Sequence, residues 1–168
     1  MSLVEPNASS ISSRMRVLRK AYEKGFRTYG MLCPLLPGIA NSREQIDELV
    51  EFLLKECGVE EVFCEPVNGR GKGLILTEDA LRAAGYESEA SAVSAVRHKK
   101  GWSSCCRELL ESIQNSLRVR KSLDKLRFLL YPTDLTEADK NWIKLHMEGV
   151  KWLEKTEKRK KKEDPKAA

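Results

Sequence analysis

Two short apolar segments, each running into a proline-bearing loop and separated by one amphipathic helix, occupy the stretch from Phe26 to Arg70. This order is that of a strand, a crossover helix and a second strand. Two such strands pair in parallel, and parallel α/β folds hold ligands in the loops at the carboxyl ends of their strands. Cys33-Pro34-Leu35-Leu36-Pro37-Gly38 and Cys64-Glu65-Pro66-Val67-Asn68 are therefore expected to share one mouth. Any chemistry the chain performs is expected there.

The boundaries follow from local signals. A first helix is predicted from Ser9 and Ser10 as caps through Ile11, Met15, Leu18 and Tyr22 to Gly25, with Arg14, Arg16, Arg19 and Lys20 on its exposed face. The first strand is predicted over Phe26 to Cys33, ended by Pro34, which has no donor for a ladder. Ser42 and Gln45 form a capping box for the next helix, whose stripe is Ile46, Leu49, Val50, Leu53 and Leu54. Cys57-Gly58 closes it, and Val59 to Cys64 forms the second strand.

Beyond Leu76 the pattern turns mostly helical. Helices are predicted from Thr77 to Gly85, Ser88 to His98 and Trp102 to Arg120, then a strand over 126 to 131 stopped by Pro132, then a helix from Thr136 with Trp142, Leu145 and His146 on one face. His146 reads as a packed histidine. The organisation is accordingly a part of alternating strands and helices over 1–76, a mainly helical extension over 77–154, and a basic, disordered tail over 155–168.

Charge sharpens this division. Of the formal net charge of +5, the tail carries four, seven Lys or Arg less three Asp or Glu, so the body is nearly neutral. Lys158-Arg159-Lys160-Lys161-Lys162 reads as a solvated run, with nucleic-acid contact as its functional alternative. The hydrophobic share of 41% and charged share of 33% suit a globular domain. Apolar runs are too short and Pro-broken to cross a bilayer, and MSLVEPNASS has neither the basic start nor the apolar stretch of a signal peptide, which points to the cytoplasm.

Five cysteines, Cys33, Cys57, Cys64, Cys105 and Cys106, include no Cys-x-x-Cys pair, and neither histidine, His98 or His146, lies near a cysteine pair. A disulfide framework and a zinc site are both disfavoured, so no metal ligand is assigned. The loop Asn68-Gly69-Arg70-Gly71-Lys72-Gly73 could suit an anion through its two cations, yet it departs from the phosphate-loop pattern.

Taken in order, Glu5-Pro6-Asn7-Ala8-Ser9, Arg14, Gly25-Phe26-Arg27-Thr28, Pro34-Leu35-Leu36-Pro37-Gly38-Ile39-Ala40-Asn41, Glu65-Pro66-Val67-Asn68, Tyr131-Pro132 and Gly149-Val150-Lys151-Trp152-Leu153 are the residues of a known pattern. The chain resembles the C-terminal portion of a radical S-adenosylmethionine (radical SAM) protein of the spore photoproduct lyase-related branch. The resemblance implies a fold class of α/β type: a fragment of a partial (β/α) barrel, with few parallel strands, plus the helical extension. It would begin after the barrel's fourth strand. The N-terminal half would be its partner.

The parent enzyme implied by this likeness cleaves S-adenosylmethionine reductively, on a four-iron, four-sulfur cluster, to a 5′-deoxyadenosyl radical that attacks an unknown substrate. The cluster's Cys-x3-Cys-x2-Cys loop is absent from this chain, so alone it is expected to bind neither cofactor and to be inert. The likeness implies that Leu35, Leu36, Pro37 and Gly38 pack beside the adenine, that Cys64, Glu65 and Pro66 line the same pocket, and that Arg14 meets the methionyl carboxylate. Glu65, Asn68 and Arg70 are the substrate-binding candidates. A half-barrel would also expose strand edges and an apolar inner face, so self-association is expected. The alternative is a non-catalytic binding or scaffold module whose tail contacts nucleic acid or a protein.

Overall fold

The computed structural model describes residues 7–69 and 72–152. Its elements are α1 (Ile11–Glu23), β1 (Gly30–Leu35), α2 (Arg43–Lys55), β2 (Val62–Pro66), α3 (Gly73–Ala83), α4 (Glu87–Ala95), α5 (Lys99–Val119), β3 (Leu126–Leu130), α6 (Glu137–His146) and β4 (Val150–Trp152). The four strands form one sheet in the order β1-β2-β3-β4, every neighbouring pair parallel. This is a mixed α/β fold. As expected, β1 and β2 are adjacent and parallel and are joined through α2.

Sequential order with a helix in each crossover gathers the helices onto one side of the sheet, given the usual handedness of such connections. Burial follows that geometry. Leu32, Val62, Cys64, Leu126, Phe128 and Leu130 are buried against α2 and α5, whereas the alternating set, Met31, Cys33, Phe63, Glu65, Arg127, Leu129 and Lys151, is half-buried or exposed. Met31, with 65% of its surface exposed, faces solvent outright. Parallel sheets are normally covered on both faces. Among the described residues, one face is left only partly covered.

The 21-residue α5 is the centre of the packed side, burying Cys106, Leu109, Leu110, Ile113 and Leu117. At its end Arg120 grips α2, bonding both Asp47 oxygens, at 2.5 and 2.8 Å, and Glu51 at 3.0 Å. Arg120 and then the Ser116 hydroxyl hold the Asp47 carboxyl down to about 2. A folded-state value below the unfolded one, about 3.9, gives stability that is complete above pH 4 and lost as pH falls toward 2. Asp47 is half-exposed, which keeps the effect small. Asp47→Asn should therefore flatten the fall of urea stability across that acid window; an unchanged slope would show the pair to be inert.

Several boundaries differ from the sequence expectation for physical reasons. β1 starts at Gly30 and runs through Pro34 to Leu35, with an irregular register between Leu32 and Leu35. Because β1 is an edge strand, a missing donor at Pro34 is tolerated there. α3 starts at Gly73 rather than Thr77, and α5 at Lys99 rather than Trp102. β4 was not expected at all: three residues after Gly149, which has a φ of 69°, are too few for a periodicity to register. The sheet thus continues past residue 76 into β3 and β4. On α6 only Ile143 is buried; Leu145 is exposed, and His146 is exposed too, its ring 5.1 Å from that of Trp142. Packing against α5 selects Ile143, not the face read from spacing.

Among the described residues no helix is long and apolar enough to cross a membrane. The basic run at 158–162 lies outside the described residues.

Candidate functional site at the carboxyl edge of the sheet

The loops after β1 and β2 do meet. They form a cavity of about 430 Å³ lined by Cys33, Pro34, Leu36, Glu65, Pro66, Val67 and Asn68, with Gly73, Leu74 and Thr77 of α3 as its far wall. A second cavity of about 270 Å³ lies beside it, between the ends of β2 and β3 and the start of α5. Glu65, Pro66 and Asn68 line both. β2 therefore ends in the partition between two hollows.

The expected cofactor residues are distributed unevenly over this edge. Leu36, Glu65 and Pro66 line the larger cavity. Leu35 is buried in the core and Pro37 is buried as well. Gly38 lies against α4, where a Cβ would meet that of Ala92 at 2.9 Å, and its φ of 74° further favours glycine. The Asn41 side chain accepts from the Gly38 amide at 2.9 Å, fixing this turn. Cys64 is fully buried on the helix side, and burial pushes its thiol well up. Arg14 lies on α1 and lines neither cavity. Of the substrate candidates, Glu65 and Asn68 reach the edge; Arg70 lies outside the described residues.

The smaller cavity draws on residues that spacing did not single out: Arg97, His98, Lys99, Trp102, Tyr131 and Asp134. Their order in the chain holds the only available signal, a run of four basic residues, Arg97 to Lys100, followed by Gly101 and Trp102, where a long amphipathic helix begins. Trp102 is anchored through its indole nitrogen, which donates to the Val67 carbonyl at 2.7 Å. Arg97 is committed to the nearly buried Glu78 at 2.9 Å. Lys99 reaches the Thr133 carbonyl at 3.3 Å with one of its three donors. Glu65 forms no ion pair, and the Tyr131 hydroxyl no hydrogen bond, among the described residues.

These residues do not fit an iron-sulfur cluster. Such clusters need converging thiolates, and Cys33 alone lies on a cavity wall. Cys57 sits in the turn before β2, Cys64 faces the helices, and Cys105 and Cys106 ride on α5. Burial raises every one of these thiols, Cys105 up to about 11. No group of three metal-ligating side chains exists among the described residues. The edge offers Glu65, Lys99 and Tyr131 to a polar small molecule; among the described residues it contains no nucleophile paired with a base.

Among known proteins, the chain is similar to the uncharacterized protein ORF301 of Acidianus two-tailed virus, at 35% identity over 83 residues. That stretch is 48% of this chain and 27% of the viral protein, so the chain spans about a quarter of its relative's length. No family model and no solved structure matches the chain.

Proposed function

We propose that this chain is the C-terminal part of a partial (β/α) barrel of the radical SAM class, supplying pocket walls at the carboxyl edge to an N-terminal half that carries the cluster. One observation carries the reading: a parallel sheet in sequential order, covered by helices on one face and open on the other. That is the arrangement of barrel strands seen from inside, where closure by further strands would cover the open face. The order of the Pro-Leu-Leu-Pro-Gly and Glu-Pro-Val-Asn segments supports the class, and their meeting at one cavity supports their use as walls.

S-adenosylmethionine fits this chain in part. Leu36, Pro66 and Val67 would flank the adenine and Glu65 the polar end of the cofactor, while the radical chemistry belongs to the cluster-bearing half. Titration of the isotopically labelled chain with S-adenosylmethionine should give weak, millimolar binding, with amide shifts confined to the walls of the larger cavity, Leu36, Glu65, Val67 and Thr77 among them. Supplied anaerobically with iron and sulfide, the chain should develop no cluster absorbance. Amide shifts elsewhere, or cofactor cleavage that Cys33→Ala abolishes, would refute this reading.

A further inference from the structure

The smaller cavity is lined by side chains of both charges. Glu65 projects from the open face of β2, half-buried and without an ion-pair partner among the described residues. Lys99 and His98, at the start of α5, line the same cavity. The Lys99 ammonium uses one donor on the Thr133 carbonyl and keeps the rest for a ligand. His98, the residue before the first turn, makes no capping bond, and the amides of that turn face the same end. Tyr131 adds a hydroxyl with no hydrogen bond among the described residues, and the anchored Trp102 ring gives an apolar wall.

Arg97 and Asp134 also line the cavity. The guanidinium of Arg97 is held by Glu78, so its charge is answered. A purely anionic ligand would meet the Glu65 carboxylate, and a purely cationic one the Lys99 ammonium, each a like-charge contact at close range. A ligand bearing both charges answers both signs.

We infer that this cavity is a binding site for a small zwitterion of the α-amino-acid class, its ammonium on Glu65 and its carboxylate on Lys99 and the start of α5. A volume of about 270 Å³ admits a ligand of that size. Glu65 is shared with the larger cavity, but Lys99, Trp102 and Tyr131 line this one alone and report on it separately.

The test is a nuclear magnetic resonance titration of the full chain with free proteinogenic α-amino acids, one at a time at millimolar concentration. Shifts are read at Lys99, Trp102 and Tyr131, which line this cavity and not the larger one. At least one free amino acid should bind there. Its N-acetyl and methyl ester forms should each bind about tenfold more weakly or worse, since each removes one charged partner. Glu65→Gln and the exposed Lys99→Met should each weaken binding by a similar factor while leaving the remaining spectrum in place. Absence of any shift with the whole panel, equal binding of the blocked forms, or equal binding of inorganic phosphate would overturn the assignment. Because S-adenosylmethionine is read at Leu36 and Thr77, either proposal can fail while the other stands.

Discussion

Gly101→Ala is expected to destabilise the protein by about 2 kcal/mol or more, against the usual sign of such a change in a helix. In an open helix the same substitution gains about 1 kcal/mol, because alanine has the better intrinsic propensity. Gly101 lies in the first turn of α5, where an added Cβ would stand 2.2 Å from the Ala95 carbonyl oxygen and 2.9 Å from its carbon. These atoms are backbone at the end of α4, so no side chain can swing aside. Relief requires the two helices to separate, carrying with them buried Val96 and the Arg97 that reaches Glu78. The cavity beside α5 would widen at the same time. Urea denaturation checks the sign: a stabilised Gly101→Ala protein would mean that α4 and α5 do not meet as described.

Much of the fold was legible because its signals are local. The Ser42 and Gln45 capping box forms as expected, and the stripe from Ile46 to Leu54 packs toward the sheet. Proline was the less reliable guide. Pro34 read as the end of a strand, yet it lies inside β1, since a strand at the sheet edge needs no donor there, whereas Pro66 does end β2 as its last residue. Propensity also cannot reveal that β4 joins β3, a pairing made by three residues and the close approach of Gly149 to Leu126.

The candidate site was half legible. Strand-end loops announce themselves through Pro, Gly and a polar residue, and this brought Leu36, Glu65 and Asn68 to one place. Leu35 and Gly38 belong to the same segment yet turn to the core and to α4, because side-chain direction within a loop is fixed by tertiary packing. The His98, Lys99 and Trp102 wall comes from the start of a helix some 30 residues downstream of β2, and only the folded topology sets it beside Glu65.

The open sheet face has the clearest physical consequence. Tyr29, Met31 and Phe63 form an apolar patch there, with the Tyr29 and Phe63 rings 6.5 Å apart, and β1 and β4 end the described sheet as edge strands. If the proposed half-barrel reading holds, this surface should be buried against a second copy. Covering Met31 and Phe63 contributes about 2 kcal/mol each, so Met31→Lys combined with Phe63→Thr should weaken association by two to three orders of magnitude. Both changes keep residues that a half-exposed strand accepts, and the fold should persist. Sedimentation equilibrium across the micromolar range is the most direct measurement: concentration-dependent self-association of the natural chain, abolished in the folded double variant, is the expected result. A natural chain that stays monomeric throughout, and binds no apolar dye on the sheet, would contradict the half-barrel account.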